Sequence, residues 1–85
     1  MQTLVRELRG IPYFLLKEYL QELGGSLVDE NIVRGDGWTI TLERMEPHRL
    51  GSLEVGQTRL VMELDELVAK DFLERFDMKT LRAGA

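Results

Sequence analysis

Eighty-five residues make one domain with a single modest core, residues 1–85 together, too short for two domains or for an enclosed active-site cavity of ordinary size. With no cysteine there is no disulfide frame, no thiolate metal site and no cysteine nucleophile, a composition compatible with a cytoplasmic, reducing home. A formal net charge of -4, with its cations scattered along the chain, weighs against binding duplex nucleic acid, which needs a clustered positive field.

The first ten residues carry Arg6, Glu7 and Arg9 where a secretory signal would have an apolar run, and no stretch reaches the roughly eighteen apolar residues of a membrane span. Asn31 is the only asparagine beside many Arg, Glu and Leu, a pattern shared with thermostable proteins. Leu4 and Leu8 suit one face of a strand or of a helix. The reading adopted for Met1 to Arg9 is an edge strand. Gly10 interrupts it, and Pro12 falls where its fixed φ and missing N–H are harmless, in the first turn of a helix. Leu16, Tyr19, Leu20 and Leu23 then recur at helical spacing with Lys17, Glu18, Gln21 and Glu22 opposite, which predicts a helix over Pro12 to Leu23 closed by Gly24.

Leu27 to Leu42 reads as two strands joined at Gly35-Asp36-Gly37. A loop of Gly35-Asp36 alone would put Asp29 and Asn31 on the face of Trp38, Ile40 and Leu42. A three-residue loop with Gly37 left-handed pairs Arg34 with Trp38 and brings Val28 and Ile32 onto that face, and this register is preferred. It leaves Glu30 opposite Leu42, which a bulge near Asn31 would relieve. Met45-Glu46-Pro47-His48 reads as a connection. Leu50 to Val55 and Gln57 to Leu64 then form a second hairpin around Gly56. Asp65 caps a second helix with Val68, Phe72 and Phe76 four apart and Leu67 and Leu73 widening the stripe. This helix is expected to weaken after Phe76, with Thr80 to Ala85 a frayed tail. The order is (β)-α-β-β-β-β-α: an α+β domain with a four-stranded antiparallel meander packed by two helices on the same face or end.

Chemistry is sparse. Glu43, Glu46 and His48 are the one cluster of a histidine with carboxylates, yet ligands so close in sequence rarely converge outside a helix or a dedicated loop, so no metal or other cofactor is assigned. Ser26 and Ser52 lie in no nucleophile turn, and with a single histidine an enzyme is the less favoured reading. Gly24-Gly25 has the residues of the tail of ubiquitin-like sulfur carriers, but here the pair is internal and follows a helix, so capping explains it. Gly35-Asp36-Gly37 after Arg34 is likewise explained by a turn. Tyr13 and Phe14 exceed what one helical stripe needs, and the helix–sheet cleft beside them is the first place to look for a ligand or partner.

The element order is similar to the TATA-box-binding-protein-like, helix-grip architecture. Within it, Arg9-Gly-Ile-Pro-Tyr-Phe-Leu-Leu-Lys-Glu-Tyr-Leu20, with Gly24-Gly25 and Gly56, resembles the C-terminal accessory domain of molybdopterin-synthase small-subunit (MoaD)-related proteins. That resemblance implies a domain without established activity, beside a separate ubiquitin-like domain that carries the sulfur chemistry, and transfers no functional residue. DNA binding, known for the fold's namesake, would be analogy by fold alone.

The function expected is therefore a non-catalytic binding or interaction domain, self-associating or docking a protein partner through a sheet edge or the Tyr13 and Phe14 region, or accessory to a sulfur-carrier or cofactor system. The alternative is a small-ligand binder or minor enzyme using the cleft, with Glu43, Glu46 and His48 as its polar set. Nucleic acid comes third and would need Arg44, Arg49 and Arg59 gathered on one face.

Overall fold

A computed structural model describes residues 1–82. In chain order the elements are β1 (Gln2–Arg9), α1 (Tyr13–Glu22), β2 (Ser26–Asp29), β3 (Ile32–Gly35), β4 (Trp38–Leu50), β5 (Leu53–Leu64) and α2 (Glu66–Arg82). The strands form one antiparallel sheet in the order β1-β5-β4-β3-β2. The expected edge strand at the amino terminus is present, and by pairing with β5 it makes the sheet five-stranded instead of four.

The strand expected from Leu27 to Arg34 is two strands. Glu30 and Asn31 turn the chain, and the Asn31 carbonyl accepts the Leu42 amide at 2.8 Å. The register across the next turn also differs from the one preferred above. Gly35 pairs with Trp38, Arg34 with Thr39 and Val33 with Ile40, leaving Asp36 and Gly37 as the turn, with Gly37 left-handed at φ 84°. Val33 is thereby the buried residue of β3, whereas Val28 is exposed and Ile32 pairs with Thr41 on the opposite face. The physical reason is the Trp38 ring, which lies over Gly35: a Cβ there would fall 2.1 Å from its Cε2, and one at Gly25 would fall 2.5 Å from its Cη2. Only glycines leave room for the indole, and seating it fixes the register.

The second hairpin is longer than the periodicity indicated. β4 continues through Met45-Glu46-Pro47-His48, and the turn falls at Gly51-Ser52 between the paired Leu50 and Leu53. Gly56 lies inside β5, where the register shifts between Met45 and His48. Pro47 is tolerated because it sits in this bulge and because β3 pairs with β4 only as far as Thr41, so beyond it β4 has a free side.

Residues at alternate positions face one side: Leu4 and Leu8 with Met62, Leu60 and Leu64, and Trp38, Ile40 and Leu42. These join Leu16 and Leu20 of α1 and Phe72 and Phe76 of α2 in one apolar cluster, so both helices cover the same face as expected. Asp65 caps α2, its Oδ1 accepting the Leu67 amide at 2.9 Å. The helix does not weaken after Phe76. It continues to Arg82, with Thr80 buried one turn beyond Phe76 and its hydroxyl satisfied by donating to the Phe76 carbonyl at 3.1 Å. The rest of the expected tail, residues 83–85, lies outside the described residues. Leu73 packs against the core, but Leu67 is 93 % exposed and does not widen the stripe.

The far face carries Thr3, Val5, Glu7, Arg59, Val61, Glu63, Thr39, Thr41 and Glu43, and no helix covers it among the described residues. Its register sets Arg59 between Glu7 and Glu43, with nitrogen–oxygen distances of 3.2 and 3.6 Å, a charge ladder across three strands.

Candidate functional site

The first turn of α1 is where apolar side chains exceed the needs of the core. Leu16 and Leu20 fill the inward stripe, so Tyr13 and Phe14, one turn earlier, fall where the helix meets the β4–β5 hairpin. Tyr13 is half-buried against the core, whereas Phe14 is 64 % exposed. An open groove of about 310 Å³ runs between Tyr13 and Phe14 on one side and Arg44, Met45, Gly56 and Gln57 on the other. A second groove, walled by Gly10, Ile11, Pro12, Glu54 and Val55, shares Tyr13 and Gly56 with it. The tyrosine therefore stands as a partition between two adjoining hollows. Gly10 anchors this junction by donating its amide to the Gly56 carbonyl at 3.0 Å.

Two cations address the Tyr13 ring. The Arg44 guanidinium carbon lies 4.4 Å from the ring centroid and the Lys17 Nζ lies 5.3 Å away. Lys17 also donates to the Glu30 carbonyl at the β2–β3 turn. Burial pushes the Tyr13 phenol above its ordinary value, with Glu30 adding to the rise and Arg44 opposing it. Arg44 continues the inward alternation of Trp38, Ile40 and Leu42 just past the end of the core, so its stem lies on apolar surface and its head reaches the groove. It has no carboxylate partner among the described ion pairs. Alternation could have revealed it in the sequence as a charged residue on a core-facing register.

Glu43, Glu46 and His48 are not brought together with Tyr13 and Phe14. Glu43 is on the far face beside Arg59. Glu46 is exposed at the bulge, its main-chain carbonyl accepting Gln57 Nε2 at 3.0 Å, and His48 is half-buried opposite Val55. None of the three lines either hollow, and among the described residues no three carboxylates or histidines are placed to hold a metal ion. The three arginines a nucleic-acid reading needs are also dispersed: Arg49 pairs with Glu54 at 3.2 Å on the hairpin arm, Arg59 with the far-face carboxylates, and Arg44 lies on Tyr13. No helix of the described residues is long and apolar enough to cross a membrane.

What the geometry defines is a small α+β domain with a one-sided antiparallel sheet and an open aromatic–basic groove. A family model described as archaeal MoaD-like protein matches residues 4–85, and the chain belongs to that family. No curated protein matches it significantly.

Proposed function

We propose that this chain is a non-catalytic protein-docking domain that works beside a sulfur-carrier system and engages its partner through the Tyr13–Phe14–Arg44 groove. The observation that carries the reading is Phe14, a large aromatic left mostly in water beside a guanidinium stacked on Tyr13. Aromatic and arginine side chains around a shallow concavity are the composition of interface centres. Membership of a MoaD-like family supplies the sulfur-carrier context. An accessory role beside the carrier fits a chain whose Glu43, Glu46 and His48 are spread along one strand, β4. The small-ligand reading loses its polar set for the same reason, since Glu43, Glu46 and His48 stand outside both hollows.

The test is to titrate isotope-labelled chain with a ubiquitin-like sulfur-carrier protein and follow amide shifts. Changes confined to residues 10–17, 44–45 and 54–57 that disappear in Phe14→Glu support the reading. No change at saturating carrier, or changes confined to the far face of the sheet, defeats it.

A further inference from the structure

The two edges of the sheet are unlike. β2 is four residues long and its pairing slips between Leu27 and Asp29, features that blunt an edge against further pairing. β1 has eight residues, no proline and an unbroken register from Gln2 opposite Leu64 to Arg9 opposite Gln57, and among the described residues nothing pairs with its outer side. That leaves a straight row of main-chain donors and acceptors.

Which residues form this row follows from one bond. The Gly10 amide donates to Gly56 and continues the β1–β5 register, so the even-numbered residues of β1 exchange their hydrogen bonds with β5. Thr3, Val5, Glu7 and Arg9 direct theirs outward. The margin is apolar as well. Leu4 and Leu8 are only half-buried, although they pack on the core. Asp77 of α2 forms an ion pair with Arg6, which brings that face of the helix to β1, and Leu81 is one turn further along the same face and 68 % exposed.

We infer that β1 pairs antiparallel with β1 of a second copy about a two-fold axis at Arg6, joining two sheets into one of ten strands. Among symmetric registers, this is the one that uses all four outward residues: Thr3 pairs with Arg9 and Val5 with Glu7, each twice, making about eight main-chain hydrogen bonds. It also sets Leu4 opposite Leu8 on the helix-covered face, so the apolar layer continues across the joint and Leu81 is sheltered. Shifting the axis to Val5 or Glu7 leaves an outward residue unpaired and separates the leucines. The two Arg6 side chains meet at the axis, each already neutralised by its own Asp77. This inference is independent of the Tyr13 groove, which neither copy needs for the pairing.

Sedimentation of the full chain from micromolar to millimolar concentration is expected to show a reversible monomer–dimer equilibrium, and a monomer throughout overturns the proposal. In amide exchange, Thr3, Val5, Glu7 and Arg9 should slow as concentration rises while Leu4, Arg6 and Leu8 are protected throughout. A pattern without that alternation overturns it. Val5 faces solvent on the uncovered side, so its charge can be changed without touching the core. Val5→Glu places like charges opposite Glu7 twice and should weaken the dimer about tenfold or more, whereas Val5→Lys should preserve or tighten it. Equal weakening by both variants, or indifference to both, overturns the pairing. The exchange pattern of the unmodified chain decides the matter if either variant is poorly folded.

Discussion

Trp38 is the residue around which the first half of the chain is packed. Its ring occupies space left by Gly25 and Gly35 and lies 4.6 Å, centroid to centroid, from Phe72 of α2. Gly35→Ala must therefore displace the indole, and we expect a loss of about 1–3 kcal/mol, read as a lower urea midpoint at unchanged slope. Gly37 is a different case: its φ is left-handed and a Cβ would also fall 2.9 Å from Val68 Cγ2. Gly37→Val should cost roughly 1 kcal/mol or more, and an unchanged melting temperature would contradict the turn described. Gly37 was legible from the turn composition. The demand on Gly35 and Gly25 was not, because it comes from a side chain that folding brings over them.

At the scale of elements, α2 shows how capping and periodicity agree with the structure at one end and diverge at the other. Asp65→Ala should cost about 1 kcal/mol by removing the acceptor for the Leu67 amide. Leu67→Ala should change stability by less than about 0.5 kcal/mol, since the side chain lies in water. Thermal unfolding of the pair separates the two effects. In the stretch of helix reaching Arg82, Thr80 is buried with its hydroxyl satisfied within the helix, an accommodation that composition does not disclose. The β4–β5 hairpin teaches the converse lesson. Pro47 and Gly56 looked like ends of strands, yet both fall at one bulge on a stretch of β4 where no β3 residue competes for hydrogen bonds.

For the whole molecule, the sheet divides a covered face from an open one, and the groove sits where α1 leaves the covered face. Tyr13 links that groove to stability. Its folded phenol titrates above its ordinary value, so below about pH 10 it is neutral in both states. As pH rises beyond that point, the unfolded chain loses the proton first, and stability falls until the folded phenol has also ionised. Comparing unfolding midpoints of the parent chain and Tyr13→Phe, the parent should lose stability more steeply above about pH 10, with parallel curves below it. A Tyr13→Phe variant that follows the parent at every pH would mean the ring is not desolvated in the groove.

The sequence by itself determined what depends on near neighbours: α1 between Pro12 and Leu23, the Asp65 cap, the left-handed Gly37, an amino-terminal edge strand and the surplus of Tyr13 and Phe14. It also placed this chain near MoaD-related proteins through the Arg9–Leu20 run, in agreement with the family it belongs to. Tertiary structure alone decided the split at Glu30-Asn31 and the pairing of Gly35 with Trp38. The reason is physical: alternation tells which side chains share a face, but Val33 and Val28 satisfy it equally well in two registers. The choice between them falls to the one arrangement in which the indole finds two glycines, and that requires α1, β2 and β4 to be already together.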